Sequence, residues 1–219
     1  MSGKLHKYEG EAIVVTYDAK RCIHAAECVR GLPHVFDPRQ RRWVQPDAAA
    51  AESIAHVVMR CPTGALHFER KDGDDQEPAP ESNVITLAVN GPLYLRGNVE
   101  IIDADDNVLL RDTRVALCRC GASENKPFCD GNHALVDFED PAAAIRENNG
   151  SATSAASDRN LVVQITANGP MIVQGALEIR TVDGRTGFRG TRAPLCRCGA
   201  SSNKPFCDGS HSRIGFVAG

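Results

Sequence analysis

The sequence predicts an α+β protein of three small modules: an α+β module at the N-terminus, then two β-rich modules forming a pseudo-symmetric pair. Three observations carry this. A segment repeats without a gap at an offset of 78 residues, nine cysteines fall as three triplets, and alternating apolar and polar residues precede the second and third triplets. The modules are expected at 1–70, 83–139 and 160–219. Each is small for a self-sufficient core, and chains of that size often need a metal staple.

In the first module an apolar strand is expected from Ala12 to Thr16. Asp47 is expected to cap an alanine-rich helix running to about Arg60. A short strand, Ala65 to Phe68, should return beside the first. The repeat then governs the rest. Asn90-Gly91-Pro92 recurs as Asn168-Gly169-Pro170, and Cys118, Cys129, His133 and Phe138 recur as Cys196, Cys207, His211 and Phe216. Ile85, Leu87 and Val89 alternate with Thr86 and Ala88, as Val163, Ile165 and Ala167 do with Gln164 and Thr166. Short apolar runs follow, Leu93-Tyr94-Leu95 and Leu177-Glu178-Ile179, with turns at Asp105-Asp106-Asn107 and Asp183-Gly184. Three or four short strands per repeat should therefore feed a tight cysteine loop. Residues 71–80 and 148–157, polar and small, read as linkers.

Bulk properties narrow the function. The chain has 219 residues and a formal net charge of −3, too balanced to suggest nucleic acid. No stretch approaches the roughly 18 apolar residues of a membrane span, and the start lacks the apolar core of a signal peptide. A cytoplasmic protein is expected. No Walker loop, dinucleotide fingerprint or nucleophile–base set is visible, so no enzymatic activity is expected.

An odd number of cysteines fits poorly with a complete disulfide framework, and grouping in threes is what thiolate-rich metal sites need. The triplets are Cys22, Cys28, Cys61; Cys118, Cys120, Cys129; and Cys196, Cys198, Cys207. The repeated segments read CRCGASENKPFCDGNH and CRCGASSNKPFCDGSH, differing only at Glu124 against Ser202 and Asn132 against Ser210. Each supplies three thiolates and an imidazole: Cys118, Cys120, Cys129 and His133, then Cys196, Cys198, Cys207 and His211. Two irons bridged by two sulfides need four such ligands. A Cys-x-Cys pair can cap one iron, and Cys-x-x-x-His across an Asp-Gly turn the other. Gly131 and Gly209 supply backbone freedom for that turn, and Pro127 and Pro205 stiffen the approach to the third cysteine. Structural zinc on a Cys3His set is the alternative, but zinc knuckles usually space paired cysteines by about two to four residues.

The pattern Cys-x-Cys-x-x-Ser-x-x-x-Pro-x-Cys-Asp-Gly-x-His resembles the CDGSH iron–sulfur domain of the mitoNEET family, with Ser123 and Ser201 in place. Asn132 departs from the family's usual small residue. The resemblance implies a [2Fe-2S] cluster with 3Cys:1His ligation at each site and a small β-cap fold. Family members pair as dimers, so two copies in one chain are expected to pair with each other. Beside the ligands, Arg119, Lys126, Arg197 and Lys204 read as a solvated surface or as groups that balance cluster charge or dock an acidic partner.

In the first module Cys22 and Cys28 are followed by Cys61-Pro62-Thr63-Gly64-Ala65. A bacterial ferredoxin loop has Cys-x-x-Cys-x-x-Cys and a distant Cys-Pro; Ala25 stands where the second cysteine would be. With Trp43-Val44-x-Pro46-Asp47, the stretch resembles the divergent mono-cluster ferredoxin family, which implies a ferredoxin-like module. Three cysteines suit [3Fe-4S], or [4Fe-4S] with a ligand from elsewhere. His24 is either that ligand or a hydrogen-bond donor to the site. Arg39, Arg41, Arg42 and Trp43 read as a solvated loop.

The leading functional expectation is a soluble single-electron carrier working with redox partner proteins. Cluster storage or delivery to apo-cluster acceptors, and a redox or pH sensor, are the alternatives. A zinc-stapled adaptor is the structural one.

Overall fold

The computed structural model describes residues 5–71, 73, 77–78, 80–142 and 160–218. The chain divides into two compact units, residues 1–78 and 79–219. The linker expected at 148–157 lies outside the described residues, as do parts of 71–80.

The first unit has a three-stranded antiparallel sheet: β1 (Leu5–Glu9), β2 (Ile13–Asp18) and β3 (Leu66–Arg70), with β2 central. The return strand pairs beside β2 as expected, with Val15 opposite Phe68. Between them run two helices, α1 (Glu27–Gly31) and α2 (Ala51–Val58). Helix α2 buries Ala51, Ile54, Ala55, Val57 and Val58, the i, i+3, i+4, i+7 stripe of a helix packed on one face. They join Ile13, Val15, Val35, Phe36 and Leu66 in one core. Each valine, leucine, isoleucine and phenylalanine among them contributes about 1.5–3 kcal/mol by leaving water.

Asp47 does not cap that helix. The N-cap is Ala50, which makes no side-chain capping bond. The Asp47 carboxylate instead accepts from the Glu11 N–H at 2.7 Å, pinning the turn between β1 and β2.

The second unit contains both repeats. Each contributes three strands: β4 (Val84–Leu87), β5 (Leu93–Ile102) and β6 (Val108–Leu117), then β7 (Asn160–Ile165), β8 (Met171–Arg180) and β9 (Thr186–Leu195). The second and third strands of each repeat are ten residues long, so the short apolar runs of the sequence are pieces of longer strands. Asn90 and Asn168 take positive φ (47° and 52°) in the turns after β4 and β7.

The two repeats exchange pairings. Strand β4 is antiparallel to β5 of its own repeat and parallel to β8 of the other. Strand β7 is antiparallel to its own β8 and parallel to β5. The hydrogen bonds thus run in a closed, barrel-like circuit β4–β5–β7–β8–β4. Strands β6 and β9 lie on the outer edges of β5 and β8. One core results. Ile85, Leu93, Val99 and Leu117 are in it together with their repeats Val163, Met171, Leu177 and Leu195.

Candidate iron–sulfur sites

Strands β6 and β9 deliver the first ligand candidates directly. Cys118 N donates to the Pro127 carbonyl at 2.9 Å, and Cys129 N donates to Ala116 O at 2.9 Å, so the loop folds back on the strand that launches it. Cys196 and Cys207 repeat this with Pro205 and Pro194, each at 2.8 Å. The peptide bonds before Pro127 and Pro205 are cis. Gly131 and Gly209 adopt φ of 95° and 85° in the Asp-Gly turns and start the short helical turns, residues 132–134 and α3 (Ser210–Arg213), that carry the histidines.

The side chains converge in pairs. Cys118 and Cys120 have sulfurs 3.6 Å apart, and Cys129 Sγ lies 3.4 Å from His133 Nδ1. In the second repeat the distances are 3.6 Å for Cys196 and Cys198 and 3.3 Å for Cys207 and His211. Among the described residues no three His, Cys, Asp or Glu side chains gather about one point as a single ion would require. Each loop thus presents its four donors as two pairs.

Electrostatics agree with that donor set. Cys118 is lowered to about 6, chiefly by the hydrogen bond from Cys120, and Cys120 is raised by the same contact. Burial pushes Cys129 up to about 11. Two adjacent thiolates and a third buried one are costly without a cation, and bound metal removes that cost by holding thiols ionised. Burial also lowers the His133 pKa, with the Arg119 charge adding to it against Asp130, which favours the neutral imidazole a metal needs.

Sequence reasoning passed over the two aspartates that hold these loops. Asp130 accepts from Glu124 N at 2.8 Å and Asn132 N at 3.0 Å; Asp208 accepts from Ser202 N at 2.9 Å and Ser210 N at 3.0 Å. Each aspartate therefore ties the Cys-x-Cys loop to the histidine turn. Ser123 Oγ donates to Phe128 O at 2.7 Å, and Ser201 Oγ to Phe206 O at 2.7 Å. The aspartate signal was present in the Asp-Gly dipeptide, read only for its glycine.

The expected basic surface is not one. Arg119 and Arg197 are each only 2% exposed. Arg119 donates to Gly91 O at 2.6 Å and to Ala88 O, and Arg197 to Gly169 O at 2.8 Å and Thr166 O at 2.6 Å. They lie over the Phe138 and Phe216 rings. Lys126 and Lys204 fold back onto the carbonyls of Ser123 and Ser201. These side chains build the loops.

In the first unit Cys22, Cys28 and Cys61 line one cavity, together with Tyr17, Ala25 and Thr63. The loop between the first two cysteines coils through positive φ at His24 (57°) and Ala26 (62°). His24 is exposed and lies outside the cavity lining. Burial pushes Cys28 up to about 11. Burial and then a hydrogen bond with Cys22 raise Tyr17. Thr63 Oγ1 lies 3.6 Å from Cys61 Sγ and accepts from Ala65 N at 3.2 Å, fixing the Cys-Pro turn. In the run 39–43, Arg39 pairs with Asp37 at 2.8 Å, while Trp43 packs edge-on to Tyr17.

Loop-held thiolates, grouped in pairs beside half-exposed histidines, define a protein that binds iron–sulfur clusters. Comparison with known proteins agrees. A family model described as "Divergent 4Fe-4S mono-cluster" matches residues 8–71, and one described as "Iron-binding zinc finger CDGSH type" matches residues 90–134 and 168–212. The uncharacterized protein YjdI of Escherichia coli K12 is 32% identical over 71 residues, covering 32% of this chain and 93% of YjdI; its O157:H7 counterpart matches equally. No solved structure matches. The chain carries a divergent 4Fe-4S mono-cluster domain followed by two CDGSH iron-binding domains, and so matches a tandem CDGSH protein.

Proposed function

We propose that this protein is a non-enzymatic single-electron carrier. In this reading Cys118, Cys120, Cys129 and His133 hold one [2Fe-2S] cluster, and Cys196, Cys198, Cys207 and His211 hold another. Cys22, Cys28 and Cys61 hold a [3Fe-4S] or [4Fe-4S] cluster. The observation that carries it is the two-by-two grouping of donors in each repeated loop, with sulfur pairs 3.6 Å apart and sulfur–nitrogen pairs at 3.3–3.4 Å.

When bound, each cluster supplies a one-electron couple. The chain's own residues arrange that couple. Buried Cys118 and Cys129, 2% and 3% exposed, keep water from one side. His133 and His211 are only half-buried, and that partial exposure supports an exchange edge within reach of a redox partner protein. The neutral imidazole in place of a thiolate removes a negative charge, so the potential should lie between the ~ −400 mV of all-cysteine plant-type ferredoxins and the ~ −150 to +300 mV of two-histidine Rieske centres.

Delivery of clusters to apo-protein acceptors is the second reading. It is favoured by the single short helical turn, three or four residues long, that carries each histidine.

The test is iron, zinc and acid-labile sulfide per chain on protein purified without oxygen, followed by stepwise reduction. About seven or eight irons with about eight sulfides, reduced and reoxidised reversibly, is the expected result. Stoichiometric zinc with little sulfide overturns the carrier reading. Quantitative loss of clusters to an apo-ferredoxin selects delivery.

A further inference from the structure

The 78-residue register puts Asp140 and Ala218 at the same position of the two repeats. Their backbones are held alike. Asp140 N donates to the Asn90 side chain at 2.8 Å and Ala218 N to that of Asn168 at 2.8 Å. Asn90 N and Asn168 N return bonds to their carbonyls, both at 2.9 Å. Both positions adjoin the buried arginine of a Cys-Arg-Cys segment.

Only one of them carries a charge. Asp140 Oδ2 takes the Arg119 Nη1 hydrogen bond at 2.5 Å. Ala218 offers Arg197 its carbonyl at 2.9 Å and a methyl group, and Arg197 Nη1 has no hydrogen-bond partner among the described residues. Among the described residues one guanidinium is paired with a carboxylate, while the other is bonded to backbone carbonyls alone. In a poorly solvated site a full charge acts strongly on neighbouring thiolates. Those neighbours are close, because the two Cys-x-Cys-Gly loops abut: a Cβ on Gly121 would lie 2.7 Å from the Cys198 carbonyl oxygen. The Arg197 charge acts on Cys118 of the first loop, and the Arg119 charge on Cys196 of the second as well as on its own neighbour Cys120.

We propose that Asp140 makes the two repeated sites unequal one-electron acceptors: a neutralised guanidinium on one side and an open one on the other separate their reduction potentials. The inference rests on the reading of both loops as cluster sites. An external one-electron donor supplies each electron, and the site with the higher potential accepts first.

The experiment is redox potentiometry on the full chain, with each step assigned by its loss in Cys118→Ser or Cys196→Ser. The native protein should show two distinct steps for the repeated sites. Ala218→Asp adds the missing carboxylate and should narrow their separation while lowering both potentials. Asp140→Ala should narrow it while raising both. The double exchange should restore the separation with the order of the sites reversed. Ala218→Asp is the safer variant, because it gives Arg197 Nη1 a partner and should raise Tm. Native cluster absorption with an unchanged separation in Ala218→Asp overturns this inference alone. A native protein with no reducible chromophore overturns the cluster reading itself, and this inference with it.

Discussion

Gly121 of the first repeat faces the backbone of Cys198 in the second, with no room for a side chain between them. Gly199 faces Cys120 in the same way. The two ligand loops are thus each other's walls. Gly121 also has φ of 83°. Gly121→Ala should cost about 2 kcal/mol or more, from left-handed strain plus a backbone clash. Gly131→Ala makes a clean comparison, since its φ is 95° but nothing lies within 4 Å of the added carbon. That variant should cost about 1 kcal/mol. Thermal melts of the two, with iron content at both repeated sites, check the difference.

Replacing both histidines tests the ligand assignment through charge. His133→Cys with His211→Cys puts a thiolate where a neutral ring stood, which disfavours uptake of an electron. The potential should fall toward the ~ −400 mV of all-cysteine plant-type centres and be flat with pH, whereas a centre that keeps its titratable imidazoles should vary with pH. Potentiometry across several pH values is the measurement, and an unchanged curve would remove histidine from the ligand set.

The N-terminal site yields a paired prediction. His24 is exposed and outside the cavity, so His24→Ala should leave the iron and sulfide content unchanged. Ala25 lines that cavity with the three cysteines. Ala25→Cys should therefore add a fourth thiolate and slow cluster loss in air, followed by the decay of visible absorption.

Acid stability should show the mark of Glu178. Hydrogen bonds from Arg180, at 3.1 Å to each oxygen, hold its carboxyl at about 2 against an ordinary 4.5. A depressed folded-state pKa stabilises the protein fully above pH 4.5, and this contribution is lost as the pH falls through 2. Glu178→Gln should therefore be less stable near neutrality, and the gap should close across that window in denaturant melts.

Much of this was legible in the sequence because it is local. The offset of 78, the paired cysteines and the Asp-Gly turns are written within short segments, and their side chains do meet in space. Strand β1 was not read, because Leu5–Glu9 is an almost fully exposed edge strand with no apolar face to betray it. Asp47 had the right composition for a helix cap but was claimed by Glu11, far away in sequence. The burial of Arg119 and Arg197 was hidden for a similar reason: their acceptors, the carbonyls of Gly91 and Gly169, lie 28 residues earlier. The parallel pairing of β4 with β8 likewise depends on partners that no local pattern names.

That exchange of strands has a consequence for how the sites can change over time. Two separate copies of one chain, paired across a twofold axis, must mutate both sites at once, since a single gene encodes them. Joined in one chain and sharing one core, the repeats keep their mutual support while each position becomes free to vary independently. An aspartate can be kept on one side and an alanine on the other, and a symmetric scaffold acquires a direction.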